Sequence, residues 1–132
     1  MADNTSLRIL VADRDPRVRA ALQTLLLQMS ASIAIHECGD IGSLVGQARG
    51  FQPHLVLLDW DLICHPAAAL LYALQELETR PTVIVLSTRP ESEEEALIAG
   101  AEAFVSKVDP PDQLLRVIHK LVRMPAGEEP GT

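Results

Sequence analysis

Four residues carry the chemistry this chain offers: Asp13, Asp59, Ser87 and Lys107. Each sits at the end of an apolar run. "RILVAD" closes on Asp13, "HLVLLD" on Asp59 and "TVIVLS" on Ser87, while "AFVS" is followed at once by Lys107. An acid adjoining an apolar run is costly unless it meets a cation or a hydrogen-bond partner. One polar residue at a strand end means little, but four at successive ends are hard to ascribe to chance. Together they make a carboxylate pair, a hydroxyl and an ammonium. Hard carboxylate oxygens suit Mg²⁺, which retains waters and often binds phosphate oxygens. A carboxylate such as Asp59 is able to attack phosphorus and form an acyl phosphate. Phosphoryl transfer then needs mostly positioning and charge neutralisation. Mg²⁺ and Lys107 would supply the positive charge, and the Ser87 hydroxyl would donate to a phosphoryl oxygen.

These residues need elements to hold them together. Apolar runs at 7–13, 32–37, 54–59, 82–87 and 103–106 read as strands. Between them, apolar residues recur at helical spacing. Val18, Leu22, Leu25, Leu26 and Met29 predict a helix from Pro16 to about Met29, with Asp15 as N-cap and Pro16 at the first helical position. Asp40 is placed to cap a second helix that stops near Gly50. Residues 67–78 and 91–100 read as helices, the latter with an acid-rich start and Gly100 at its end. Residues 110–124 form the last, with Leu114, Leu115, Ile118, Leu121 and Val122 on one face.

Five strands alternating strictly with five helices predict an α/β domain with a parallel sheet. The strands lack polar alternation because helices cover both faces. In such sheets ligands gather beyond the C-terminal ends of the strands, where the four residues lie.

The 132 residues suit one domain with a real core. Hydrophobic residues make up 48% but aromatics only 3%, so that core must be aliphatic. A formal net charge of −7 argues against a nucleic-acid surface. Cys38 and Cys64 lack metal or disulfide spacing and read as buried or free thiols in a reducing compartment. No apolar run is long enough to cross a bilayer, and "MADNTSLR" has no signal pattern, so a cytoplasmic location is expected with no membrane contact.

From about Leu7 to Val122 the chain resembles the receiver domains of two-component response regulators. The matching pieces are "ILVADRDP", "HLVLLDWDL", "VIVLST", "GAEAFVSK" and "DQLLRVI". The resemblance implies a flavodoxin-like fold with strand order 2-1-3-4-5. It implies that Asp59 is the phosphoacceptor, taking phosphate from a histidine kinase or phosphotransfer protein. By the same resemblance Ser87 is the switch hydroxyl, Phe104 the switch aromatic and Lys107 the lysine of the site. Mg²⁺ would be held by Asp13, Asp59 and the backbone carbonyl of Asp61. The expected role is a signalling switch, not an enzyme beyond its own phosphorylation and dephosphorylation. The expected division is an extension (1–6), a receiver domain (7–124) and a tail or linker stub (125–132). An output domain or partner protein at the last two helices, or a homodimer through them, is in keeping with the family.

Three departures qualify that expectation. Receivers usually carry two consecutive acids after the first strand, but here the pair is Asp13-Arg14. Either Arg14 points outward and leaves a weakened Mg²⁺ site, or its guanidinium pairs with Asp59 and imitates the metal's charge. The second outcome would make a pseudo-receiver, a binding module independent of phosphorylation. Asp61 would restore negative charge to the site or be a solvated loop acid. After it, "LICHPAAAL" replaces a proline- and glycine-rich turn, and His65 reads as a solvent-facing loop residue. Val108 stands where the family usually has proline, so a trans Lys107-Val108 bond is expected. Trp60 either shields the site or is a partly exposed ring. Glu93, Glu94 and Glu95 form a solvated helix face or a partner surface.

Overall fold

The computed structural model describes residues 6–30, 32–62 and 67–122. His65, Cys64, Pro66 and the expected tail at 125–132 lie outside the described residues. The strands are β1 (Leu7–Ala12), β2 (Ile33–Cys38), β3 (Leu55–Asp59), β4 (Thr82–Ser87) and β5 (Ala103–Ser106). The helices are α1 (Pro16–Leu27), α2 (Leu44–Phe51), α3 (Ala67–Gln75), α4 (Glu93–Ala99) and α5 (Pro111–Leu121). All strand pairs are parallel, in the order β2-β1-β3-β4-β5, as expected.

Side chains alternate between the two faces of a strand, and both faces are apolar. Leu10, Val56, Leu58, Val83 and Val85 pack with Leu44 and Ala48 of α2, Leu71 and Leu74 of α3 and Ala96 of α4. Ile9, Val11, Leu57, Ile84 and Val105 pack with Leu26 of α1 and Leu114 and Ile118 of α5. Each fully buried Leu or Ile contributes about 2 kcal/mol. This burial provides the rigid frame against which charged strand ends are held. No helix among the described residues is long and apolar enough to cross a membrane.

The element ends correct several expectations. Asp15 caps α1 by accepting from the Arg17 backbone N–H, but α1 stops at Leu27, short of Met29. Asp40 caps a 3₁₀ turn, Ile41–Ser43, that leads into α2. That helix runs past Gly50, because Gln52 takes the left-handed conformation (φ 51°) and closes it by bonding Ala48 O. α3 ends at Gln75, short of residue 78, and α5 at Leu121, where Val122 turns to extended backbone. The 91–100 segment splits into a 3₁₀ turn, Pro90–Ser92, and the short α4. Gly100 does end it, at φ 123°, which favours glycine. Cys38 is a free, buried thiol.

Candidate functional site

Register brings the chemistry to one edge. Ala12 pairs with Leu58, so Asp13 and Asp59 follow side by side on neighbouring strands. Ser87 pairs with Ser106, so Lys107 rises one step beyond the end of β4. Its backbone N–H donates to the Ser87 carbonyl at 2.8 Å. The Lys107 ammonium then reaches across the edge, donating to Asp13 Oδ2 at 2.8 Å and to Asp59 Oδ1 at 3.0 Å. Asp13 and Asp59 are each 1% exposed and Ser87 is fully buried.

One local device repeats along this edge. Asp13 Oδ1 accepts from the Asp15 N–H, and Asp59 Oδ1 from the Asp61 N–H. Ser87 Oγ accepts from the Arg89 N–H, and Ser106 Oγ from the Val108 N–H. Short polar side chains bond the backbone two residues on and so turn the chain out of the strand. The residue types at the strand ends therefore have a structural reason as well as a chemical one. A proline at 108 would have no N–H for its bond, and the Lys107-Val108 peptide is trans, like every peptide bond among the described residues.

One ammonium serves two buried carboxylates, and the electrostatics follow. Burial pushes the Asp59 carboxyl above its usual range, and the neighbouring Asp13 charge adds to this. The Lys107 and Asp61 hydrogen bonds oppose both but do not cancel them. Burial alone would lower the Lys107 pKa, yet hydrogen bonds and charges from Asp13 and Asp59 outweigh it and raise the value. The two shifts agree physically: the cation is satisfied twice, and one negative charge is left over. Among the described residues both donors to Asp59 fall on Oδ1 and none on Oδ2.

Arg14 is exposed, and no ion pair among the described residues involves it. The expected alternative of an Arg14–Asp59 pair is not formed, because Lys107 already occupies that carboxylate. Asp61 is neither a fully solvated loop acid nor a member of the buried pair. Its Oδ1 accepts from Arg89 Nη2 at 3.3 Å. Trp60 is buried in the core beside Leu58, so it is not a partly exposed ring. Phe104 is half-buried against the same cluster, beside Val85 on β4. Glu93, Glu94 and Glu95 are exposed.

Two residues at the site were not anticipated. Arg19 donates from Nη1 to the Asp13 carbonyl and from Nε to Glu37 at 2.9 Å, tying the β1–α1 turn to β2. A Cβ at Gly39 would lie 3.0 Å from that guanidinium, so the glycine leaves it room. Arg89, two residues past Ser87, was legible in principle, since its loop leaves the same edge. No local pattern marked Arg19.

The residues fit a magnesium ion as a partial site. Two hard carboxylates with one excess negative charge suit a divalent cation that keeps several waters. No group of three or more His, Cys, Asp or Glu is placed to hold a metal among the described residues, so there is no all-protein cage. A groove of about 680 Å³ lies between α1 and α5, with Leu22, Lys107 and Leu114 in its walls and neither Asp13 nor Asp59 among its lining residues.

Comparisons with known proteins agree with this geometry. Residues 9–119 match the model of the response regulator receiver domain. A search of curated proteins finds no match. The fold is similar to a response regulator signal receiver domain from Bermanella marisrubri, with 24% identity, TM-score 0.76, and 89% of this chain and 99% of that one covered. A two-component response regulator of the LuxR family from Aurantimonas sp. SI85-9A1 is 21% identical, with TM-score 0.76, over 87% of this chain and 84% of that one. The chemotaxis response regulator CheY4 of Vibrio cholerae is 16% identical, with TM-score 0.73, over 89% of this chain and 99% of that one. With its sheet order, its strand-end residues and a family match across most of its length, this chain belongs to the response regulator receiver domain family.

Proposed function

We propose that the chain is a phosphorylatable receiver that takes a phosphoryl group on Asp59 and changes a partner-binding surface in response. The observation that carries this is Lys107 bridging Asp13 and Asp59 while Asp59 Oδ2 stays clear of both donors. In the reaction Oδ2 attacks phosphorus and an acyl phosphate bond forms. The bond from phosphorus to the donor breaks, and its electron pair leaves with the donor group. For a histidine kinase or phosphotransfer protein that leaving group is an imidazole. Lys107 stays hydrogen-bonded to the Asp59 carboxyl and offsets the charge that builds there. Bound Mg²⁺, held by Asp13, Asp59 and the Asp61 carbonyl, would add the remaining positive charge, on a site weakened by Arg14.

Conversion to a signal follows from neighbours of the site. A phosphoryl group draws the Ser87 hydroxyl away from the Arg89 N–H, and Phe104 turns inward into the room that Ser87 leaves. The surface of α4, β5 and α5 then changes its affinity for an output domain, a partner protein or a second copy. Exposed Leu97 and Ile98 beside the three glutamates lie on that surface. A second reading, a binding module independent of phosphorylation, draws on Arg14 where an acid is expected. Intact mass after incubation with Mg²⁺ and acetyl phosphate separates the two. One added phosphoryl group, absent from Asp59→Asn, supports the first. An adduct seen only in Arg14→Asp supports the second.

A further inference from the structure

Arg89 touches both loops at the mouth of the site. Its guanidinium donates to Asp61 Oδ1 at 3.3 Å, and its backbone N–H donates to Ser87 Oγ at 3.0 Å. Asp61 in turn donates its own N–H to Asp59 Oδ1. Asp59, Asp61, Arg89 and Ser87 are thus linked from the acceptor to the hydroxyl, through the backbone N–H groups of Asp61 and Arg89 and the one side-chain bond between these two residues.

The ion pair within this chain is its weakest link. It is a single contact, long for a charge-assisted bond, with the arginine side chain 59% exposed and the aspartate 20%. Among the described residues, the bond to Asp61 is the one hydrogen bond this guanidinium makes. A phosphoryl group brings nearly two negative charges and three acceptor oxygens, and a planar guanidinium matches those oxygens better than one carboxylate oxygen. The buried site already has fewer cations than anions, with Lys107 shared between two carboxylates. New negative charge on Asp59 therefore acts on a weakly held cation tied to the same loops. Arg14 is also exposed at this edge, but no hydrogen bond or ion pair among the described residues ties its side chain to the site. Arg89 is already tethered there at two points.

We propose that Arg89 is a phosphoryl-binding residue, held back by Asp61 in the unmodified protein and transferred to a phosphoryl oxygen once Asp59 is modified. This rests on Asp59 being the acceptor. It adds a second cation to the site and assigns Asp61 the role of restraining it. Because the Arg89 backbone also bonds Ser87, the same movement loosens the hydroxyl, so charge at Asp59 and release of Ser87 become one event.

The test follows adduct formation by intact mass on the full chain with acetyl phosphate and Mg²⁺. Arg89→Ala is expected to slow the reaction about tenfold, with Arg89→Lys recovering part of the rate. Asp61→Asn, which frees Arg89, is expected to speed it several-fold. Asp61→Asn added to Arg89→Ala is expected to give the rate of Arg89→Ala alone, because Asp61 acts through Arg89. The ³¹P chemical shift of the adduct should also move in Arg89→Ala, which a purely structural role would not cause. A wild-type rate in Arg89→Ala overturns the proposal, as does an equal acceleration by Asp61→Asn with and without Arg89. No adduct on the wild type removes Asp59 as acceptor and this proposal with it. An adduct indifferent to Arg89 removes this proposal alone.

Discussion

Lys107 donates to Asp59 at 3.0 Å across 48 residues of sequence, and the same ammonium holds Asp13 at 2.8 Å. A short strand, β5, and its register with β4 put it there. Removing the amine leaves two buried carboxylates facing each other. Lys107→Met is expected to cost about 3 kcal/mol at pH 7, measured by urea denaturation. The loss should shrink as pH falls, because the buried Asp59 carboxyl, whose pKa is already raised, takes up a proton. A stability equal to wild type at pH 7 would mean that the bridge is absent in solution.

The raised Lys107 pKa has a defined pH consequence. Burial opposes the charged amine, but the bonds and charges of both aspartates prevail. The folded protein therefore holds this proton more tightly than the unfolded chain. Its contribution is full below the unfolded value, 10.5, and is lost as pH rises through the folded value. A stability profile of wild type against Lys107→Met should converge above that point.

Asp59 behaves in the same sense, at lower pH. Burial and the Asp13 charge raise its pKa above 3.8, so the folded state favours the protonated form. Ionising it costs stability as pH rises through that window. Asp59→Asn is therefore expected to stabilise the protein at pH 7 by about 1 kcal/mol. The gain should vanish at acid pH, where Asp59 is already neutral. Phosphorylation, which needs the carboxylate, should fall as pH drops through the same raised value. Thermal melts of the two proteins from pH 3 to 8 check the first point, and a destabilised Asp59→Asn at pH 7 would contradict it.

Arg14 is exposed and takes part in no ion pair among the described residues. Arg14→Asp should change stability by less than about 0.5 kcal/mol. It should raise Mg²⁺ affinity about tenfold, equivalent to about 1.4 kcal/mol, because a cation beside the site becomes an anion. Calorimetric titration with MgCl₂ measures this. An unchanged affinity would show that residue 14 is electrostatically remote from the carboxylates.

Much of this was legible in the sequence, and particular residues show why. Apolar runs that stop at Asp13, Asp59 and Ser87 marked the strands, and their strict alternation with helical spacing marked the parallel sheet. Asp15 followed by Pro16 placed the start of α1 correctly. What failed depended on contacts made in three dimensions. Gly50 looked like a helix end, but Gln52 is the residue that takes the positive φ. Trp60 beside an acid reads equally as a shield for the site or a partly exposed ring, and only the 3₁₀ turn after β3 decides it, by directing the ring into the core. Arg14 was weighed as a partner for Asp59 from its neighbour in sequence, whereas the cation that arrives comes from β5. The Arg19–Glu37 and Arg89–Asp61 pairs join segments 18 and 28 residues apart, and no local pattern announces such a meeting.

Borohydride reduction of the protein after treatment with acetyl phosphate and Mg²⁺, followed by peptide mass mapping, reads out the acceptor itself. An aspartyl phosphate is reduced to homoserine, and unmodified carboxylates are not. Homoserine at position 59 alone is the expected result. Homoserine at Asp13 or Asp61, or none at all in a protein that has bound Mg²⁺, would contradict Asp59 as the reactive carboxylate of this site.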